Sequence, residues 1–310
     1  QYIDDIKKVV AQERIYTDDL RCLAWGTDAG FYRKIPQIVI RSKNEEEVSF
    51  LLATASKYKL PVTFRAAGTS LSGQAISDSI LIVAGKHWED YKIAPDASTI
   101  TLQPGIIGSR VNDYLAPYGR MFAPDPASKN SAMVGGIVIN NASGMNCGTH
   151  ANSDKILNSV RIVFADGTVL DTGDDRSRML FARLKHDFID GIMKLRDEIC
   201  ADEELVKRIK YKYSIKNVTG LNLLPFVMFR DPFDIIAHSM VGSEGTLAFL
   251  SEITVNTSHK YPCSASAMLY FSDLKEACKA VVAMKKGPVF GAELLDKKSL
   301  SAVNDPTGVG

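Results

Sequence analysis

A glycine-containing loop at residues 61–74, PVTFRAAGTSLSGQ, has the residue types of a phosphate site. Small and hydroxyl side chains follow a short β-like run, so successive backbone N–H groups can converge on one anion. Gly68 can adopt a positive φ, and the hydroxyls of Thr69 and Ser70 add donors. The pattern predicts an anion-binding loop whose ligand is a diphosphate. For the loop considered alone, a tight surface turn is the alternative.

Two common nucleotide-binding motifs are absent from the sequence. It contains neither GxGxxG at a strand-to-helix turn nor GxxxxGK[ST]. A Rossmann dinucleotide site and a P-loop NTPase are therefore both disfavoured, and the diphosphate needs another kind of site.

A second unusual stretch covers residues 121–154, MFAPDPASKNSAMVGGIVINNASGMNCGTHANSD. Removing side chains over a long segment lets the backbone approach a flat ligand closely. A loop of this length is typical of a functional site. The small residues concerned are Gly135, Gly136, Ala142, Ser143, Gly144 and Gly148.

A third stretch, VGSEGTL at residues 241–247, places two glycines and an acid at the entrance to a predicted strand. Alone, it is typical of a turn. The three stretches in this order are much more specific than any one of them.

The elements around these stretches are short strands and a few helices. Asn44 is a helix cap with Glu47 three places later, and apolar residues then recur at helical spacing, which predicts a helix. Strands predicted at residues 37–40 and 61–64 flank it in an order suited to parallel pairing. Further predictions are strands at 80–83 and 99–102, a helix at 107–116, and a hairpin of 158–165 with 168–171 around Asp166-Gly167.

The flanking regions are predicted to be more helical. Residues 1–35 are interpreted as a helical lead-in, and residues 176–235 as a solvated helical insertion with Phe181, Leu184, Phe188, Ile192 and Leu195 on one stripe. A strand is predicted at residues 246–256. Beyond it, a strand at 265–271, a helix at 274–285 and a strand at 289–295 suggest a ferredoxin-like βαβ unit. Since the sequence stops at Gly310, we expect residues 262–310 to be the truncated start of a second domain.

Composition excludes several classes of protein. The 310 residues are 45% hydrophobic and 24% charged, with a net charge of +1, which argues against a nucleic-acid partner. No apolar run is long enough for a membrane span, and the polar start favours a cytoplasmic protein, with attachment to the inner-membrane surface as a variant. The five cysteines are widely spaced and form no metal-ligand pattern.

Taken together, RAAGTSLSG, PDPAS, MVGGIVINNASG and GSEGTLAFLSE resemble the signature segments of one flavin-binding domain. It is the domain of the vanillyl-alcohol-oxidase, p-cresol-methylhydroxylase (PCMH) type, and the most similar branch contains D-lactate, D-2-hydroxyglutarate and glycolate dehydrogenases. The resemblance covers residues 36–257. It implies an α+β fold of two subdomains with FAD between them, followed by a cap domain that completes the substrate pocket.

The resemblance also assigns residues to the cofactor by position. The pyrophosphate loop comprises Arg65, Ala66, Ala67, Gly68, Thr69, Ser70, Leu71 and Gln74; the ribityl chain and flavin lie against Pro124, Val134, Gly135, Gly136, Asn140, Ala142, Ser143, Gly144 and Gly148; Glu244, Gly245 and Ile253 close around them. Several relatives bind flavin covalently through a histidine where Thr69 stands. We therefore expect non-covalent FAD.

One segment departs from the branch. Residues 216–222 read KNVTGLN, with Leu221 in place of the usual tyrosine, and 19 residues (223–241) separate this segment from GSEG. This resembles longer enzymes in which the flavin half is fused to an iron–sulfur half. The implied partners are a small 2-hydroxy acid and, as electron acceptor, an iron–sulfur domain or subunit, a quinone or a cytochrome.

The catalytic groups are not identified by the sequence. In the resembling enzymes, histidines and a glutamate of the cap domain bind a metal, whereas the five histidines here have no metal-like spacing, and we expect no metal site in these residues. His150 and His238 are the two weak candidates for a catalytic role, and a core or surface histidine is the alternative for each. Two functions stay open: a 2-hydroxy-acid dehydrogenase, or an FAD-binding module without turnover because its cap is incomplete.

Overall fold

The computed structural model describes residues 1–144, 147–148, 150–284, 286–287 and 289–303. Two sheets, of four and five strands, organise the chain up to residue 256, and a two-stranded ribbon pairs Arg120–Met121 with Ser258–His259. The strands are β1 (Ile15–Tyr16), β2 (Ile38–Arg41), β3 (Val62–Arg65), β4 (Ile80–Val83), β5 (Tyr91–Ile93), β6 (Thr99–Leu102), β7 (Arg120–Met121), β8 (Leu157–Val163), β9 (Val169–Asp171), β10 (Phe249–Asn256) and β11 (Ser258–His259). The α-helices are α1 (Tyr2–Ile6), α2 (Asp19–Ala24), α3 (Glu45–Lys57), α4 (Gly108–Leu115), α5 (Val134–Asn140), α6 (Ser153–Ile156), α7 (Asp175–Leu184), α8 (His186–Ala201), α9 (Glu203–Lys212), α10 (Leu224–Met228), α11 (Pro232–Ser239), α12 (Leu274–Met284) and α13 (Lys297–Val303).

The first sheet has the strand order β1-β2-β4-β3. Strands β2 and β3 each pair in parallel with β4, so the predicted strand-helix-strand unit is correct, although its two strands flank β4 and do not touch each other. Helix α3 begins where predicted, since the side chain of Asn44 accepts a hydrogen bond of 2.9 Å from the Glu47 N–H. The helix buries Val48, Leu51 and Ala55 against the sheet.

The second sheet has the order β5-β6-β10-β8-β9, and all of its pairings are antiparallel. The predicted hairpin around Asp166-Gly167 is the β8–β9 pair, and Gly167 takes the positive φ of +84° that its turn requires. Strand β10, the last long strand, lies in the middle of the sheet between β6 and β8.

An aromatic cluster and a polar contact join the two sheets. Trp88 is 1% exposed and packs against Phe249 of β10, which also contacts Phe64 of β3 with ring centroids 4.8 Å apart. Nearby, the guanidinium of Arg161 on β8 donates two hydrogen bonds of 2.8 Å to the carboxylate of Glu45 on α3. These contacts hold the two sheets together at one edge of the site described below.

The helical insertion is present, but its apolar stripe is not continuous. Phe181 is buried at 3%, whereas Leu184 and Leu195 are exposed at 62% and 43%. The reason is a helix break at Lys185 between α7 and α8, which resets the helical phase. The insertion has its own small core of Ile199, Ile209, Phe226 and Ile235. Among the described residues, no helix is both long enough and apolar enough to span a membrane.

The first 35 residues are more than a helical lead-in. Strand β1 pairs antiparallel with β2, so this region supplies the edge of the first sheet. The guanidinium of Arg14 makes a bidentate ion pair with the Glu47 carboxylate, at 2.6 and 2.7 Å, and both side chains are largely buried. The sequence could not predict β1, because a strand of two residues has no measurable periodicity.

Beyond residue 259 only the helix prediction is confirmed. Helix α12 covers all but one residue of the predicted helix; that residue, Lys285, lies outside the described part of the chain. The strands predicted at 265–271 and 289–295 are wrong, because the described residues there have no strand partner. Alternating Met268 and Tyr270 remain 71% and 82% exposed, so the pattern alone did not produce a strand. The assignment of 262–310 to a cap domain stays a prediction.

Candidate cofactor-binding site

A cavity of about 430 Å³ lies where the two sheets meet. One wall, the loop wall, consists of residues 65–74 after β3. The other, the helix wall, consists of residues 133–143 around α5 together with the turn at 244–245. The cavity therefore brings together parts of all three stretches that the sequence singled out. Its size is within the usual range for cofactor and ligand pockets.

The loop wall is built from backbone. Gly68 and Gly73 have φ of +73° and +79°, as the anion-binding prediction required of Gly68. Among the described residues, none accepts a hydrogen bond from the backbone amides of residues 67–71. Residues 67–70 are half-buried and Leu71 is exposed. Such amides are donors suited to the oxygens of a diphosphate.

Arg65 provides the charge of the loop wall. Its Nη1 donates to the carbonyl oxygens of Thr27 at 2.6 Å and Ala75 at 3.3 Å, and its guanidinium lies 5.2 Å from the ring centroid of Trp25. Its Nε is buried and has no partner among the described residues. Burial lowers the pKa of Arg65, and the Coulombic attraction of Asp28 opposes that shift. Arginine nevertheless stays charged at neutral pH, so a cation with an unused donor lies at this end of the cavity.

The paired glycines of the helix wall have different roles. A Cβ on Gly135 would come within 2.6 Å of the Pro104 side chain, so this glycine permits close packing behind the wall. A Cβ on Gly136 would meet only Ala66, at 3.9 Å, across the cavity. Gly136 is therefore the position where a side chain would occupy the space of a ligand.

A hydrogen-bonded pair connects the two parts of the helix wall. The Nδ2 of Asn140 donates to Oε1 of Glu244 at 2.7 Å, and the Glu244 N–H donates to the carbonyl of Ile139 at 3.1 Å. Glu244 has a left-handed φ of +54°, a conformation that non-glycine residues hold only when surrounding contacts impose it. Burial raises the pKa of Glu244, while the Asn140 hydrogen bond lowers it.

Most of the predicted cofactor residues line this cavity. They are Arg65, Ala66, Ala67, Gly68, Thr69, Ser70, Leu71, Gln74, Gly135, Gly136, Asn140, Ala142, Ser143, Glu244 and Gly245. The structure places the other five outside its lining. Val134 and Ile253 are in the core of the second sheet, Pro124 is buried, the backbone of Gly144 lies against Asp125, and Gly148 packs beside His150.

Neither candidate histidine lines the cavity. The ring of His238 lies 4.2 Å from that of Phe229, its Nδ1 is 3.0 Å from the Asp234 carbonyl, and burial lowers its pKa. His150 is exposed. His238 is therefore a packed histidine, and His150 is a surface histidine. These are the alternatives to a catalytic role that the sequence analysis gave for them.

Several lining residues were missed by the sequence analysis. Pro104, Val218 and Phe249 come from three separate parts of the chain and reach the cavity only through tertiary packing. Val218 had a signal, because it lies in the segment that departs from the expected pattern. Its neighbours hold this segment at the site: Lys216 donates to the Gly144 carbonyl at 2.7 Å, and Asn141 donates to the Asn217 carbonyl at 2.9 Å.

Comparison with known proteins identifies the ligand class. Residues 36–173, which include the loop wall and α5, match a family model described as an FAD binding domain. This match agrees with the resemblance of the sequence to the PCMH-type flavin-binding domain. The amides of the loop wall, the unused Arg65 donor and the open space at Gly136 fit the chemistry of FAD, which has a diphosphate and a flat ring system.

Relatives of the PCMH-type domain act on hydroxy acids. D-2-hydroxyglutarate dehydrogenase of Escherichia coli (strain K12) is 24% identical over 296 residues, covering 91% of this chain and 28% of the relative. Glycolate oxidase subunit GlcD of the same organism is 25% identical over 278 residues, covering 88% of this chain and 45% of the relative. The chain thus spans less than half the length of either relative.

Solved structures show the same fold at lower identity. Alkyldihydroxyacetonephosphate synthase matches with a TM-score of 0.57 and 16% identity, covering 83% of this chain and 40% of that chain. Glucooligosaccharide oxidase from Acremonium strictum, which carries a 6-S-cysteinyl, 8α-N1-histidyl FAD, matches with a TM-score of 0.51 and 14% identity, covering 82% and 42%. These matches establish the predicted PCMH-type fold.

Proposed function

We propose that this chain is the flavin-carrying part of an FAD-linked dehydrogenase that oxidises a small D-2-hydroxy acid, such as D-lactate, D-2-hydroxyglutarate or glycolate. The observation that carries the proposal is the convergence of the three sequence stretches on one cavity in a PCMH-type domain. The hydroxy-acid relatives supply the substrate class. FAD, when bound, supplies the acceptor for the hydride that leaves the α-carbon of the substrate.

In this proposal the chain's own residues bind and position the cofactor. The amides and Arg65 of the loop wall bind the diphosphate, and Gly136 leaves room for the cofactor to pass the helix wall. Asn140 orients the Glu244 carboxyl, which keeps a proton more readily than an exposed glutamate because burial raises its pKa. The proposed electron acceptor of the bound cofactor would be an iron–sulfur, cytochrome or quinone-linked partner.

The test is anaerobic reduction of the full-length protein by candidate substrates. We expect D-lactate, D-2-hydroxyglutarate or glycolate to bleach the flavin absorbance, with L-lactate as the control of opposite configuration. A full-length protein that binds FAD but is bleached by none of the three acids would refute the dehydrogenase assignment.

FAD is proposed to be bound non-covalently. Among the described residues that line the cavity, none is a histidine or cysteine, and Thr69 occupies the position of the attaching histidine. Acid precipitation should therefore release all the flavin into the supernatant. Yellow colour that stays with the precipitated protein would contradict this proposal.

A second candidate function is an FAD-binding module without turnover. Arg65 and Glu244 are the only charged side chains among the described lining residues, and Nη1 of Arg65 is already bonded to the Thr27 carbonyl. Since the unused Arg65 donor is assigned to the cofactor diphosphate, the described lining offers no second cation for a substrate carboxylate. The 310-residue chain would then bind FAD without being bleached by hydroxy acids that bleach the full-length protein.

A cytoplasmic location remains a prediction, which cell fractionation would test.

A further inference from the structure

Residues 25–32, here called the N-terminal brace, precede the region that matches the family model and wrap around the loop wall. The carbonyl of Thr27 accepts the 2.6 Å hydrogen bond from Arg65 Nη1, and the ring of Trp25 lies beside the same guanidinium. The Ala29 N–H donates to the Gly68 carbonyl at 3.1 Å. The brace thus contacts both the charge and the positive-φ turn of the loop wall.

The brace also packs closely against the loop wall at Leu71. A Cβ on Gly30 would lie 2.5 Å from the Leu71 carbonyl oxygen and 2.9 Å from its carbon, both of them backbone atoms that cannot rotate away. Two residues further on, the side chain of Tyr32 packs against Gly73, where an added Cβ would lie 3.6 Å from it. Only a glycine at position 30 permits this separation between brace and loop.

Asp28 gives the brace its shape. Its Oδ1 accepts a hydrogen bond of 2.8 Å from the Gly30 N–H, which closes a local turn and places Gly30 against Leu71. Its Oδ2 is buried without a partner among the described residues, and the carboxylate acts electrostatically on Arg65. A carboxylate beside the cation of an anion site does not help that site by charge, so the useful contribution of Asp28 is its turn-forming hydrogen bond.

The brace is held at both ends. On its N-terminal side, β1 pairs with β2 and Arg14 is bonded to Glu47. On its C-terminal side, Lys34 pairs with Asp78 at 2.7 Å. The first anchor is on the first sheet, which also carries the loop wall, and Asp78 of the second lies two residues before β4 of the same sheet. Both anchors therefore limit movement of the brace relative to the loop wall.

We propose that the N-terminal brace is part of the FAD-binding machinery, with Asp28 and Gly30 as positioning residues that hold the loop wall in its diphosphate-binding conformation. The proposal rests on the FAD-binding domain and is independent of the hydroxy-acid assignment. Removing the brace contact should weaken FAD binding without removing any residue that contacts FAD.

The first test compares Gly30→Ala with Gly191→Ala in the full-length protein. A Cβ on Gly191 of α8 meets no atom within 4 Å, so this variant controls for the substitution itself. We expect Gly30→Ala to raise the Kd for FAD at least about tenfold in reconstitution of the apoprotein, since a backbone shift at Leu71 displaces its neighbouring amides. The melting temperature of the apoprotein should change by no more than in Gly191→Ala.

The second test decides the matter if Gly30→Ala does not fold. Asp28→Asn keeps an oxygen that can accept from the Gly30 N–H, whereas Asp28→Ala loses it. We expect Asp28→Ala to weaken FAD binding about tenfold and Asp28→Asn to retain it within about threefold. Unchanged FAD affinity in Asp28→Ala, or in a folded Gly30→Ala, would overturn the proposal. A wild-type protein that takes up no FAD would instead refute the proposed function.

Discussion

The two walls of the cavity are built in different ways. The loop wall uses backbone amides shaped by Gly68 and Gly73, with one charged side chain, Arg65. The helix wall uses the side-chain pair of Asn140 and Glu244. A wall made of backbone depends on conformations that few residues can adopt, whereas a wall made of side chains can be altered one group at a time. The loop wall should therefore be the less tolerant of substitution.

The largest expected effect is that of Gly68→Val. A β-branched residue is strained at φ +73°, and its Cβ would lie 2.4 Å from the Arg65 guanidinium. We expect FAD affinity to fall about 100-fold, equivalent to about 2.8 kcal/mol. Gly119→Val is the matched control, because Gly119 has φ +63° but a Cβ there meets nothing within 4 Å. Equal losses of FAD affinity in the two variants would show that backbone strain alone lowers the affinity, and that the position of Gly68 in the loop wall does not matter.

A smaller loss is expected for Gly136→Leu on the helix wall. The added side chain would extend towards Ala66 and occupy part of the cavity, while the backbone of α5 is unchanged. We expect FAD affinity to fall about tenfold, measured by flavin fluorescence during titration of the apoprotein. Gly191→Leu in α8 provides the control for introducing leucine into a helix. A larger loss here than in Gly68→Val would reverse the ranking of the two walls.

The pH dependence of the melting temperature of Glu244→Gln tests the hydrogen-bonded pair of Asn140 and Glu244. Because the folded-state pKa of Glu244 is raised above its ordinary value of 4.5, the stability linked to its protonation is complete below pH 4.5 and is lost as pH rises through the raised value. Glutamine stays neutral and still accepts from Asn140. We expect its melting temperature to match the wild type at pH 4 and to exceed it by about 1 to 2 °C at pH 7, since Glu244 is only half-buried.

The control for this pH test is Glu204→Gln, at an exposed position on α9. It measures the effect of the same substitution at a position outside the cavity. A Glu244→Gln variant that tracks the wild type over the whole range would show that the carboxyl is more solvated than its position indicates.

The smallest effect is expected for His238→Phe, outside both walls. A phenyl ring can keep the contact with Phe229, whereas the Nδ1 contact with the Asp234 carbonyl is lost. FAD affinity should stay within about twofold of the wild type in the same titration. A loss of tenfold or more would place His238 in the site despite its position on α11.

Local signals in the sequence were the ones that succeeded. The Asn44 cap, the Asp166-Gly167 hairpin and the glycines of the loop wall could be predicted because each is determined by neighbouring residues. The strand order could not be predicted, because β10 pairs with β6 and β8, which are distant from it in the sequence. The strands expected at 265–271 and 289–295 failed for the same reason, since a strand needs partners that its own sequence does not specify.

The predictions of site residues divide in the same way, into those made from local signals and those that depended on contacts between distant parts of the chain. Motifs indicated the loop wall and Gly136, whereas the contributions of Pro104, Val218 and the brace depended on which surfaces packed together. Val134 and Ile253 were placed at the cofactor by position in a motif, yet their apolar side chains are in the core. A motif therefore identified the correct segment without showing which way each side chain points.

The central place of β10 has a consequence for synthesis on the ribosome. Every strand of the first sheet is available once residue 83 has emerged, so that half can fold while translation continues. The second sheet cannot close until residue 256 has been made, and the five helices α7 to α11 are produced in the interval. During that time the facing edges of β6 and β8 have no partner and are open to mispairing. The nascent chain therefore has its greatest need of a chaperone between the synthesis of β8 and that of β10.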